Sequence, residues 1–175
     1  MERDNDRSVE DTVALVEKHF GWLLLNDLTI EKVDKGTKLE DELLSFIEQC
    51  SWDEVKEHLA GVLRNHELTD WETFFVAKAD GRVVAMASVM KEDYYPLPGV
   101  TPWVSSIFVD EGYRGQRISG RLIDHANDYL RNLGFDKSFI PTDSVGLYEH
   151  FGYSYVKDIV NYGGGTDHLY EKYLR

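Results

Sequence analysis

The sequence predicts an α+β fold, antiparallel strand pairs flanked by helices, and three observations carry that expectation. Trp71–Ala79 and Arg82–Lys91 are two β-rich runs joined by Asp80-Gly81, a dipeptide that tolerates the positive φ values of a tight hairpin turn. Trp103–Val109 is a third β-rich run, and a short glycine-containing loop leads from it into a helical pattern. In that pattern Ile118, Leu122, Ile123, Ala126, Tyr129, Leu130 and Leu133 recur on one face, with Gly134 at the C-terminal cap position. Finally, the tail alternates from Tyr153 to Val160, breaks at Gly163-Gly164-Gly165 and alternates again from His168 to Leu174, a second hairpin.

The remaining elements follow in chain order. Residues 8–20, with Val13, Leu15, Val16 and Phe20, read as a first helix, and Leu28–Val33 as a strand. Leu39–Gln49 carries Leu43, Leu44, Phe46 and Ile47 on one side. Ser51-Trp52-Asp53-Glu54 has the pattern of a capping box and opens a second helix through Val55, Leu59, Val62 and Leu63. The carboxylates of this pair, Glu40, Asp41, Glu42, Glu48, Asp53, Glu54 and Glu57, read as a solvated helix surface. Asp93–Gly99 holds Pro96, Pro98 and Gly99 and is a loop, one that either joins two strands or carries binding groups. Lys137–Ile140 is a short strand that Pro141 is expected to end. Asp143 or Ser144 then caps a brief helix through Leu147, Tyr148 and Phe151, which Gly152 closes.

Composition bounds the function. A chain of 175 residues, 42% hydrophobic and 29% charged, fits one globular domain over 1–175, with N-terminal helices and first strand in about 8–65 and the core in about 72–160. The apolar runs at 20–25 and 83–90 are too short to span a bilayer, and the polar, mixed-charge start lacks the pattern of a secretory signal, so no membrane association and a cytoplasmic location are expected. A formal net charge of −13 argues against nucleic acid as a partner and favours cations. Cys50, the one cysteine, reads as a small apolar filler, and the six histidines show no metal-ligand spacing.

The strand–loop–helix unit is where chemistry is expected. The first turn of a helix leaves N–H groups unpaired at the positive end of the helix dipole, so an anion settles there. Arg114 and Arg117 add charge, Gly115 permits close backbone approach, and Ser119 offers a hydroxyl. The Gly163–Gly165 run is not followed by a helix and reads as a turn.

The run Ile107-Phe108-Val109-Asp110-Glu111-Gly112-Tyr113-Arg114-Gly115-Gln116-Arg117-Ile118-Ser119, followed some thirty residues later by Leu147-Tyr148-Glu149-His150-Phe151-Gly152-Tyr153, resembles the GNAT superfamily of acyl-CoA-dependent N-acetyltransferases. The resemblance covers Phe74 to about Val160. The family's acyl-CoA loop reads Arg/Gln-x-x-Gly-x-Gly/Ala. Here Arg117 and Ser119 stand at the two small positions, Arg117 still supplying a backbone N–H and Ser119 remaining small. Many members carry an Asn after the strand that here ends at Pro141, where this chain has Thr142 and Asp143.

The resemblance implies a mixed, mostly antiparallel central sheet flanked by helices, the acyl-CoA N-acyltransferase-like fold, with acetyl-CoA as acyl-donor co-substrate. It places the backbone of Ile107, Phe108 and Val109 against the pantetheine amides, and Arg114, Gly115, Gln116, Arg117, Ile118 and Ser119 around the pyrophosphate. Tyr148 matches the family's general acid, and a phenol, with an ordinary pKa of about 10, is suited to protonate a departing thiolate. The acceptor implied is a primary amine on a small molecule or peptide, with a cationic amine favoured by the charge. No base is assigned: Ser105 and Ser106 are placed to order a water, with Glu92 or Asp93 to receive the proton through it. A non-catalytic acyl-CoA-binding or sensing module and a nucleotide-phosphate-binding domain stay open, and the aromatic loop and β-rich tail leave room for a homodimer.

Overall fold

The computed structural model describes residues 28–95, 97–161 and 163–175, so the helix expected over 8–20 lies outside the described residues. Seven strands form one sheet: β1 (Thr29–Lys32), β2 (Thr73–Ala79), β3 (Arg82–Met90), β4 (Trp103–Val109), β5 (Lys137–Thr142), β6 (Ser154–Val160) and β7 (Thr166–Tyr173). Their order is β1-β2-β3-β4-β5-β7-β6. Only β4 and β5 run parallel; every other neighbouring pair is antiparallel. The mixed, mostly antiparallel α+β architecture is therefore the one expected.

Helix α3 (Ile118–Asn132) covers one face, and α1 (Lys38–Gln49) with α2 (Asp53–Arg64) covers the other. Because both faces are covered, β2 is buried along nearly its whole length. Phe75, Ala77 and Ala79 pack on the α3 side, while Phe74 and Val76 pack under α1 and α2. The Asp80-Gly81 turn has φ of 50° and 73°, the paired positive values that match the twist of a hairpin. Gly134, with φ of 91°, follows α3 as its C-terminal stop.

Three local expectations are corrected. The Ser51 hydroxyl makes no helix cap: α2 starts at Asp53 with Trp52 in the cap position and no side-chain cap bond, and Ser51 donates instead to Glu111, sixty positions away. The cap that does form is Thr37 on α1, which accepts from the Glu40 N–H. After β5 neither Asp143 nor Ser144 caps a helix; Leu147 precedes a single 3₁₀ turn, Tyr148–Phe151, closed by Gly152 at φ 81°. Pro141 does not end β5, which runs on to Thr142. The reason lies in which edge the missing donor would face. The Phe139 N–H points to β4, donating to the Pro102 carbonyl at 3.0 Å. Residues two apart face the same edge, so position 141 faces β4 beyond the point where the two strands have parted.

Candidate active site

β4 and β5 meet at one place. Trp103 registers with Phe139, and beyond it the strands diverge, leaving a gap closed at Trp103 and open toward Val109. A bulge in β4 adds to this. Ser105 faces Ser88 and Phe108 faces Met86, so Ser106 and Ile107 together oppose Ala87, with Ser106 at φ 51°. The alternation of side chains shifts there. Phe108 packs with Phe46 and Trp52 beneath α1 and α2, whereas Ile107 and Val109 pack on the α3 side. Only the backbone of these three residues is left for a ligand in the gap.

At the open end, β4 runs into the loop before α3. Gly115 has φ 76° and open space where a Cβ would point. Arg117 sits in the left-handed region at φ 60° as the cap residue of α3, with no side-chain cap bond, and the first turn holds no acidic residue. The helix start thus keeps its dipole free for an anion, and the residues present fit the diphosphate of an acyl-CoA. Ile118 is a core side chain, 2% exposed, which leaves only its backbone toward the loop, while Gln116 on the loop and Ser119 in the first turn of α3 are half-buried. Arg114 is folded back: its Nε donates to the Val109 carbonyl at 3.0 Å, its guanidinium pairs with Glu111 at 2.9 Å and it lies 5.5 Å from the centre of the Phe108 ring. Its charge is at the loop, but the Val109 carbonyl is already taken.

Tyr148 opens the 3₁₀ turn across from this loop and is 9% exposed, ringed by Phe151, Tyr153 and Tyr170 at 6.1–6.3 Å between centres. Burial pushes its phenol up, against a weaker opposing hydrogen bond with Thr142, so it holds its proton at neutral pH. Gly120 makes the placement possible. A Cβ there would lie 2.6 Å from Phe151 Cε1, so only glycine lets the turn seat on α3. Sequence reasoning passed over Gly120 because its need arises from a contact thirty residues away.

Against Trp103, at the closed end of the gap, lies a cavity of about 440 Å³ lined by Glu92, Asp93, Tyr94, Tyr95, Leu97 and Val100 among others. The Asp93–Gly99 loop thus lines this cavity as well as connecting two strands. It is fastened at Tyr95, whose ring stacks on Trp103 at 6.1 Å and whose hydroxyl donates to Asp167 of β7. Asn161 donates to the same Asp167 at 2.9 Å and also gathers the Gly163 and Gly165 N–H groups, which holds the triple-glycine turn as a turn. Of the two carboxylates considered for a base, Glu92 is exposed and Asp93 is half-buried. Among the described residues no cluster of His, Cys, Asp or Glu forms a metal site, and no helix is long and apolar enough to cross a membrane.

A family model described as the acetyltransferase (GNAT) family matches residues 38–153, about two thirds of the chain, including β4, the start of α3 and Tyr148. The chain belongs to the GNAT acetyltransferase family. This GNAT chain is accordingly an acetyl-CoA-dependent acyltransferase, with acetyl-CoA as its co-substrate. Among solved structures it is similar to the aminoglycoside 6'-N-acetyltransferase from Enterococcus faecium at 16% identity and a TM-score of 0.67, over 84% of this chain and 97% of that one. An aminoglycoside 6'-N-acetyltransferase complexed with coenzyme A aligns at 14% identity and 0.65, with the same coverage. The spermidine/spermine N-acetyltransferase from Vibrio cholerae aligns at 15% and 0.61, over 86% and 95%. At these identities the likeness is one of fold. No curated protein matches the GNAT chain.

Proposed function

We propose that this GNAT protein transfers an acetyl group from acetyl-CoA to a primary amine of a small cationic molecule, in the cytoplasm, with Tyr148 as general acid. Bound acetyl-CoA supplies a thioester whose carbonyl carbon the amine attacks. The backbone of Ile107, Phe108 and Val109 holds the pantetheine arm in the gap beside β4, Arg114 turning away from the Val109 carbonyl to free it. Gly115, Gln116, Arg117, Ile118 and Ser119 hold the diphosphate through N–H groups, and Arg114 and Arg117 supply charge. A β4 N–H at the bulge donates to the carbonyl oxygen as negative charge grows there. Tyr148 gives its proton to the sulfur.

The observation that carries this reading is the gap between β4 and β5. Its open end lies at an uncapped helix start, and its closed end at Trp103 borders the carboxylate-lined cavity. The two substrates would meet near Ser105 and Ser106. A cationic acceptor is supported by Glu92 and Asp93 in that cavity, by the net charge of −13, and by neighbours named for aminoglycosides and for spermidine/spermine.

The test is thiol release from acetyl-CoA with spermidine and with kanamycin as probe amines, comparing the parent protein with Tyr148→Phe. The expected outcome is release that depends on amine and turnover lowered about 100-fold or more in the variant, with acetyl-CoA affinity nearly unchanged. Equal turnover would remove Tyr148 from the mechanism. Binding of acetyl-CoA with no release toward any amine would favour a non-catalytic acyl-CoA module on the same fold.

A further inference from the structure

An amine that reaches the cavity as an ammonium ion must lose a proton before it can attack, and one carboxylate there is built to receive it. Asp93 follows β3 where the chain turns into the cavity wall. Its Oδ1 accepts the Tyr94 N–H at 2.7 Å. Ser105, the β4 residue just before the bulge, lies near enough for its hydroxyl to favour the charged form. Ser105 in turn is 3.1 Å from the Ser88 hydroxyl of β3, and both serines are buried.

We infer that Asp93, held in the cavity wall with its Oδ1 on the Tyr94 N–H, is the group that takes the proton from the acceptor ammonium, an inference that rests on the acetyltransferase reading above. Glu92 shares the cavity but is exposed, whereas Asp93 is half-buried. The step balances as follows. An ammonium N–H bond breaks and its proton passes to Asp93 Oδ, and the freed lone pair forms the C–N bond. A second nitrogen proton, shed after that bond forms, replaces the one Tyr148 gives to the departing sulfur. Asp93 releases its proton to water at the exposed rim by His58 and Tyr94, whose rings are 4.6 Å apart.

Burial raises the Asp93 carboxyl above the usual carboxylate range, and the nearby Ser105 hydroxyl, the Tyr94 N–H and the His58 charge pull against that. A raised value brings the base closer to the pH at which it must work. The groups facing Asp93 are His58 from α2, Ser105 from β4, and Tyr94 and Tyr95 from its own loop, with Lys91 and Glu92 beside it on the cavity wall. Asp167 of β7 stands behind Tyr95.

The experiment is the pH profile of kcat/KM for spermidine and kanamycin in the parent, Asp93→Asn and Ser105→Ala proteins, beside a carboxyl NMR titration of Asp93. Asparagine keeps the acceptor for the Tyr94 N–H, so the fold is retained, which acetyl-CoA binding verifies. Activity requires the ionised carboxylate, so the parent loses activity as pH falls through the Asp93 pKa. Asp93→Asn is expected to lose about 100-fold or more in kcat/KM near neutral pH and to lack that acidic limb. Ser105→Ala removes a nearby hydroxyl that favours the charged form, so the limb and the NMR titration should both move to higher pH. A parent-like profile in Asp93→Asn, or an Asp93 signal that titrates in the ordinary carboxylate range and ignores added spermidine, would overturn the assignment. Either result leaves acetyl-CoA binding and amine-dependent thiol release intact, whereas their loss in the parent would overturn the acetyltransferase reading itself.

Discussion

Gly120 shows how much a single residue determines. It sits in the first turn of α3, where alanine would be favoured by about 1 kcal/mol on helix propensity alone, yet a Cβ meets the Phe151 ring at 2.6 Å. Overpacking of this kind costs about 1–3 kcal/mol, so Gly120→Ala should be net destabilising by about 1 kcal/mol in denaturant unfolding. It should also lower turnover, because pushing Phe151 moves the turn that carries Tyr148. Unchanged stability would mean that the ring yields freely. Tyr148 and the loop from Arg114 to Ser119 were legible from the sequence, since they lie in short contiguous motifs. Asp93 could be read only as one of two carboxylates, because what separates it from Glu92 is burial in the cavity wall, and burial is not written in local sequence.

At the scale of elements, α3 is joined to β5 by a buried polar cluster. Ser138 donates to Asn127 Oδ1 at 2.7 Å, and the Tyr153 hydroxyl lies 2.8 Å from Ser138 and 3.0 Å from Asn127. Burial pushes the Tyr153 phenol up to about 12, with the Ser138 and Asn127 bonds opposing. A phenol with a folded pKa above its unfolded value of about 10 contributes stability that is complete below pH 10 and declines as pH rises toward 12. The slope is about 1.4 kcal/mol per pH unit. Unfolding free energies measured between pH 9 and 12 should show this decline, and Tyr153→Phe should flatten it while losing stability at neutral pH. An equally steep decline in the variant would place the alkaline sensitivity elsewhere. β4 and α3 coincide with their expected bounds or nearly so, because strong periodicity and glycine signals mark both. The cap of α2 and the end of β5 were misjudged for one physical reason: Ser51 finds Glu111, and Pro141 faces a gap between strands, so a tertiary partner or its absence overrides the local rule.

At the scale of the molecule, the net charge of −13 should draw cations toward the cavity. For spermidine, kcat/KM should therefore fall as salt rises from 0.01 to 0.15 M, over which the screening length shrinks from about 30 to about 8 Å. Indifference to salt would confine recognition to contacts inside the cavity. The Tyr95–Asp167 bond, which ties the cavity loop to β7 across 72 positions, lay beyond any reading of local pattern, although the hairpin it fastens was expected from the three glycines. The central claim is that the gap beside β4 and the start of α3 form one acyl-CoA site. Calorimetric titration with acetyl-CoA, run beside ATP, tests it most directly. Saturable one-to-one binding of acetyl-CoA, with ATP much weaker, is the expected result. Equal binding of the two would reduce the site to a phosphate cradle, and no binding of acetyl-CoA would contradict the account.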